Sequence, residues 1–330
     1  MTPKYVDDII IKAHVRKVGN MLHKVSVFTC VYNGENTIHR VFSSLNKQTY
    51  KNIEHIIVND GSTDDTEELI NEYILQAKFP VKYIKKENGG KHTATNIAWD
   101  NCTGDFIIQL DADDELLPDA IEFLVNEYEK IPDEQKDSFW CVHGRCIDQI
   151  NRELVGSLYP DGINEMPVEK AKQIAKNTPG DKVGLMKREK LKDYRYPTPE
   201  GVTFVTESHL WFELDILYRT YYTNTPVLVY YLNERNSLSN PIMSSQTLSN
   251  HAFNFKHQLE NRKRFSLSGK ALITKMLFYI IYYNLSTQTY KKAHSYTLKN
   301  NDFSLNALLL LLLIPGKAVA AYYRRRWKVT

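Results

Sequence analysis

The chain has 330 residues, 42% hydrophobic and 25% charged, enough for one substantial core or a core with a smaller appended unit. Its 42 basic and 39 acidic side chains leave a net charge of +3, too balanced to argue for nucleic acid, and no such partner is expected. Cys30, Cys102, Cys141 and Cys146 show no C-x-x-C pair and no ligand-like spacing with histidine, which argues against a zinc site or disulfide framework and for reduced thiols in a cytosolic protein.

Residues 1–24 read as an N-terminal extension whose charges surround only Ile9, Ile10 and Ile11, too short an apolar run for a secretory signal. From 25 to 130, short apolar runs alternate with amphipathic stretches, the pattern of a parallel sheet flanked by helices. Strands are predicted at 25–30, 53–58, 81–84 and 105–110, and helices at 35–46, 64–76 and 93–100. Residues 138–147 read as a further strand, with 148–153 a turn into a hairpin partner. Prolines and glycines break the periodicity of 160–199, which reads as an active-site loop region with one helix near 168–176. A helix at 207–220 and a strand at 227–232 follow, and beyond Pro241 the chain reads as mostly helical. At 305–314 the sequence is apolar except Asn306, then Pro315-Gly316-Lys317 interrupts before the basic run 324–328. This is too short to span a bilayer but suits an interfacial anchor, unless the leucines pack on the protein's own core.

Ligands in open α/β sheets bind outside the carboxyl ends of the strands, and there the sequence concentrates its polar groups. After the first strand, Tyr32 can stack a nucleobase while Thr29 and Asn33 supply hydrogen bonds, although Tyr32 is equally an ordinary strand-end aromatic. After the second, Asp60 precedes a glycine turn; it can accept a base N–H or brace the turn. Lys91 follows Gly89 and Gly90 at a helix start, a place for a phosphate or base carbonyl and also a common turn. After the fourth strand come Asp111, Ala112, Asp113 and Asp114. Crowded carboxylates there invite Mg2+ or Mn2+ and with it a diphosphate, or they end the strand and cap the helix after Pro118. Neither G-x-G-x-x-G nor a Walker A sequence is present, which disfavours a dinucleotide dehydrogenase or P-loop enzyme.

Taken in order, residues 25–33, 57–64, 88–96 and 104–118 resemble the nucleotide-sugar-binding half of glycosyltransferase family 2, inverting transferases of the bacterial surface-polysaccharide type. The resemblance implies an α/β chain with the GT-A fold, a Rossmann-like mixed sheet flanked by helices, and a helical C-terminal extension. It divides the chain into a catalytic domain at 25–240, with a nucleotide-binding half at 25–130 and an acceptor-binding half at 131–240, and a helical region at 241–330. Thr29, Val31, Tyr32, Asn33, Glu35, Asp60, Lys91, Asp111 and Ala112 would bind the nucleotide sugar, and Asp113 with Asp111 would hold the metal. Glu207 would be the general base, with helix-dipole complementation as its structural alternative. Glu200 is the runner-up, and Ser239 a candidate for diphosphate contact. Two departures stand out: Cys30 where many relatives have proline, and Thr95 where many have arginine. Asp148 and Asp181 read as turn or surface carboxylates.

The implied activity is metal-dependent, inverting transfer of a sugar from a UDP-linked donor to a glycan or lipid-linked saccharide, by a peripheral protein at the inner face of the cell membrane. A sugar-phosphate nucleotidyltransferase would need a glycine-rich arginine-lysine loop after the first strand, which is missing. A degenerate GT-A domain serving as a membrane-associated scaffold is the non-enzymatic alternative.

Overall fold

The computed structural model describes residues 23–231, 244–262, 267, 269–298 and 303–327. Residues 1–22 of the expected N-terminal extension and Ser239 lie outside them. The first strand β1 (Val25–Val31) leads to helix α1 (Ile38–Asn46), then β2 (Ile53–Asn59), α2 (Thr66–Gln76), β3 (Val81–Lys85), α3 (Lys91–Asn101) and β4 (Phe106–Gln109). The short β5 (Glu115–Leu116), α4 (Ala120–Glu129) and α5 (Asp133–Lys136) precede β6 (Phe139–Asp148), α6 (Val168–Asn177), β7 (Lys182–Lys187) and α7 (Arg188–Leu191). Next come α8 (Ser208–Leu217), β8 (Arg219–Tyr230), α9 (Ser245–Glu260), α10 (Gly269–Leu285), α11 (Gln288–Ala293), α12 (Phe303–Leu311) and α13 (Leu313–Trp327).

One eight-stranded sheet runs in the order β3-β2-β1-β4-β7-β6-β8-β5. The strands β1 to β4 are mutually parallel, as their continuous apolar runs predict, because helices cover both faces. β7 reverses the direction: it lies antiparallel to β4, pairing Phe106 with Lys187 and Ile107 with Met186. Its first residues therefore sit at the same edge as the carboxyl end of β4, beside the acidic run.

β7 falls inside the segment expected to be loop. Gly184 obscures its strand pattern, yet packing requires that glycine, because a Cβ there would come within 2.6 Å of Cys141 Sγ. The helix expected at 207–220 stops at Leu217, and β8 starts eight residues ahead of the expected strand, since Thr220-Tyr221-Tyr222-Thr223 is a β-branched and aromatic run. The expected hairpin after β6 is reduced to one bridge, Ile147 to Leu154.

Two apolar clusters cover the sheet. One joins β1 and β2 to α1, α2 and α4, including Val27, Val41, Ile57, Ile70 and Leu124. The other joins Phe28, Trp99, Trp140 and Met186 to Ala252, Leu259, Met276, Tyr279 and Leu309. The C-terminal helices thus share a core with the sheet. Among the described residues no helix is long and apolar enough to cross a membrane.

Candidate active site

The run after β4 turns sharply, with Asp114 N donating to Asp111 O at 3.2 Å, and then enters β5. Pairing of β5 with β8 brings Tyr231 alongside, where its N–H donates to Asp114 Oδ1 at 3.3 Å. Arg40 braces the turn from α1: it donates to the Asp113 carbonyl at 3.0 Å and lies 3.8 Å over the Tyr231 ring. The turn gathers Asp111, Asp113 and Asp114, with one carboxylate oxygen of each inside a 4.8 Å span. Burial first, then the charges of Asp111 and Asp113, push the Asp114 pKa up to about 8. Three carboxylates held this close fit a hard divalent cation coordinated by oxygen.

Lys91 opens α3 and reaches back to this group. Its ammonium donates to Asp111 Oδ2 at 2.8 Å and lies 3.2 Å from Glu207 Oε1. Gln109 makes a second bridge, from Nε2 to Asp111 Oδ1 at 3.1 Å and to Glu207 Oε1 at 2.8 Å. Desolvation opposes ionisation of both Lys91 and Asp111. The carboxylates of Asp111 and Glu207 nevertheless hold Lys91 well above the ordinary lysine range, and Lys91 with Gln109 holds Asp111 below the carboxylate range. Glu207 occupies the N-cap position of α8 without a side-chain cap bond. Its carboxylate is turned to Lys91 and Gln109, and its place at the N-terminus of α8 also complements the helix dipole.

The segment before Glu207 is docked from two sides. Tyr196 is clamped to α3, its N–H donating to Asn96 Oδ1 and its carbonyl accepting from Asn96 Nδ2, both at 2.9 Å. From α9, Asn250 Oδ1 accepts from Thr203 N at 2.9 Å and Asn254 Oδ1 from Thr206 N at 3.1 Å. Gly90 has φ +93, and a Cβ there would fall 1.9 Å from the Thr203 carbonyl, so the Lys91 and Glu207 segments meet at a point only glycine permits.

At the β1 and β2 ends, Tyr32 is 52% exposed and its ring is open to stacking. The side chains of Thr29 and Val31 need correction. Thr29 is fully buried with its hydroxyl 3.1 Å from His55 Nε2, and Val31 is a core residue, so neither side chain walls the crevice. Asn33, at φ 51, accepts from Thr63 N at 2.8 Å, and Glu35 accepts from Asp65 N at 3.3 Å; both side chains tie the two loops together. Asp60 is 3% exposed and accepts from Gly89 N at 3.0 Å, Gly90 N at 2.8 Å and Lys86. Of its two sequence readings, the bracing one describes these contacts.

Ala112 packs against the sheet core between the two aspartates. Glu200 is exposed, and its carbonyl accepts from His294 at 2.9 Å, beside α11 and outside the Lys91 bridge. Asp148 caps its own turn, accepting from Ile150 N and Asn151 N at 2.8 and 3.0 Å. Asp181, expected to be a surface carboxylate, is exposed at the start of β7, where Asp111 and Glu207 are among the charges acting on it. Sequence reading also missed Gln109, whose signal was a lone amide in the apolar run Phe106-Ile107-Ile108-Gln109-Leu110. The two departures prove to be neighbours: Cys30 Sγ lies 3.7 Å from Thr95 Oγ1, which donates to the Lys91 carbonyl at 2.8 Å.

Residues 26–184 match the family model described as Glycosyl transferase family 2. The chondroitin synthase of Pasteurella multocida is 43% identical over 143 residues, 42% of this chain and 14% of that protein. Across the curated relatives first matched, the aligned region spans between 14% and 39% of their own length. Staphylococcus aureus TarS 1-349, solved with UDP-GlcNAc, has a TM-score of 0.58 at 17% identity, covering 89% of this chain and 81% of TarS. A mannosyltransferase from Pyrobaculum calidifontis, solved with GDP-Man and Mn2+, has a TM-score of 0.50 at 18% identity, covering 93% and 88%. The acidic turn at the end of β4 and most of the mixed sheet thus lie in a glycosyl transferase family 2 domain at residues 26–184, and the chain carries the GT-A fold.

Proposed function

We propose that the chain is an inverting, metal-dependent glycosyltransferase that moves a sugar from a nucleotide donor, UDP-linked by preference, onto a saccharide acceptor in surface-polysaccharide assembly. The observation that carries this reading is the double bridge by which Lys91 and Gln109 hold Glu207 against Asp111. A single displacement at the anomeric carbon needs one base for the acceptor hydroxyl, and Glu207 would take that proton. Lys91 and Gln109 fix its carboxylate in direction, while Tyr32 offers a stacking face for the base. Asp111 and Asp113, with Asp114, would hold Mg2+ or Mn2+, which when bound offsets charge on the leaving diphosphate. The chondroitin synthase and TarS similarities support a UDP-sugar donor and a polysaccharide product; the mannosyltransferase supports Mn2+. A lipid-linked acceptor and peripheral association with the inner face of the cell membrane belong to the same reading.

A panel of nucleotide sugars tested for turnover and for thermal stabilisation, with and without Mn2+, tests it. Mn2+-dependent release of UDP from at least one donor, lost in Asp113→Ala, is expected. No turnover of any donor, with nucleotide affinity unchanged by Asp113→Ala, would overturn the enzyme reading and favour a scaffold.

A further inference from the structure

Charge is divided unevenly along the chain. Residues 261–330 contain 13 lysines and arginines against a single acidic residue, Asp302, a net of +12, so the first 260 residues carry −9 of the overall +3. The near-neutral total conceals two parts of opposite sign. The basic part is the one that contains α10 to α13, and its last two helices expose a group of apolar side chains.

The helices α12 and α13 bury one face and expose the other. On the inner face, Leu309 and Ala320 are buried, and Gly316 sits so close to α10 that a Cβ would meet Ile280 Cγ2 at 2.4 Å. On the outer face, Leu310, Leu311, Ile314 and Tyr322 recur at helical spacing, with Leu311 and Ile314 exposed by 76% and 80%. Lys317 and Ala318 are exposed between them. A contiguous apolar face on a monomer marks a contact surface, and the surrounding charge says which contact. An apolar face that includes Lys317, on a segment whose sequence holds many cations and a single anion, matches a bilayer with anionic headgroups, where leucines enter the acyl boundary and cations remain among the phosphates.

We propose that the outer face of α12 and α13 docks the protein on an anionic lipid bilayer, with the +12 of residues 261–330 as the attracting charge. This deepens the transferase reading, on which it rests only for the purpose of docking: delivery of a lipid-linked acceptor. The binding itself is independent of catalysis.

The full chain should sediment with vesicles of phosphatidylcholine and phosphatidylglycerol and not with phosphatidylcholine alone. Raising salt from about 0.1 M to about 1 M, which shortens the screening length from roughly 10 to 3 Å, should release it. Lys317→Gln should weaken binding about fivefold, and the double variant Leu311→Glu, Ile314→Glu should lose it. Both variants should keep the wild-type melting temperature, since the altered side chains are exposed. Equal binding to both vesicle types, no binding to either, or undiminished binding by the double variant would overturn the proposal. So would a concentration-dependent dimer abolished by the double variant without vesicle binding, which would make the face a contact between copies. UDP-sugar binding measured on the same protein separates the two readings: vesicle binding without donor binding removes the transferase and leaves the docking, and the reverse leaves the transferase alone.

Discussion

Replacing Lys91 with methionine tests the centre of the site in both directions. Its ammonium lies 2.8 Å from Asp111 and 3.2 Å from Glu207, a Coulomb attraction of about 6 and about 5 kcal/mol at an effective dielectric of 20. Both carboxylates are 41% exposed, so solvent screening and the lysine's own desolvation reduce the net loss to about 1–3 kcal/mol. The same cation opposes a metal at Asp111. Taking a unit charge away from about 5 Å of a divalent ion is worth roughly 2 kcal/mol at a dielectric near 60, so Mn2+ affinity should rise at least tenfold while turnover falls. Electron paramagnetic resonance of free Mn2+ gives the affinity, and thermal melts with and without Mn2+ give the stability. The variant should melt lower than wild type without metal and gain more from Mn2+. Unchanged or weaker Mn2+ binding would show that Lys91 is not the metal's competitor and would refute the bridge.

Three further outcomes follow from the same contacts. Glu207→Gln keeps the shape that Gln109 recognises, so turnover should drop about 100- to 10,000-fold with nucleotide affinity within about twofold, read by single-turnover kinetics and by calorimetry; equal loss of both would make Glu207 a binding residue. Asn254→Ala removes the bond to Thr206 N and another to the Phe204 carbonyl at 3.3 Å. Turnover should fall roughly tenfold with the donor KM unchanged, because the donor loops sit on β1, β2 and α3; a raised donor KM alone would exclude a role in aiming Glu207. Acid should destabilise the fold early. Burial lowers the pKa of His55 to about 3, and burial with the charges of Lys182 and Arg145 lowers that of His143 to about 3. Each contribution is present above the unfolded value near 6.5 and is lost as pH falls toward 3, so from pH 7 to 5 the pair should cost about 4 kcal/mol. Urea melts across that range should show the loss, smaller by about 2 kcal/mol in His55→Gln; a flat profile would mean that these imidazoles are not held neutral.

The half of the fold that was legible in the sequence was the half built from parallel strands. Apolar runs such as Val25-Ser26-Val27-Phe28 can only be strands buried on both faces, and their loops fall at one edge by topology. β7 was illegible because its register is set by a neighbour: Gly184 is dictated by the sulfur of Cys141 on β6. β8 was hidden in part because α8 gives way to it after a single residue, so helical and strand periodicities run together. Within the site, the aspartates and Lys91 were legible as charges at strand ends. Gln109 was not, since one amide in an apolar strand has no meaning until Glu207, 98 residues later, is brought to it. For the same reason the loop-tying hydrogen bonds of Asn33, Glu35 and Asp60 could not be told from their positions in the sequence. A sequence shows that polar groups converge, and only the fold shows which have already satisfied one another.

The contact between Cys30 and Thr95 changes what the two departures mean. Read separately, each removes something that many relatives have, and Thr95 in particular removes a cation near the nucleotide. Read together, a thiol whose pKa burial pushes up to about 12 faces a hydroxyl that donates to the backbone of Lys91. Both groups are uncharged and 3.7 Å apart, so a change at either position removes this contact. An arginine at 95 would lack the hydroxyl that donates to the Lys91 carbonyl one turn back. Position 95 therefore adds no positive charge beside Lys91, and the other cations placed here are Arg40 at the acidic turn and Lys86 on Asp60.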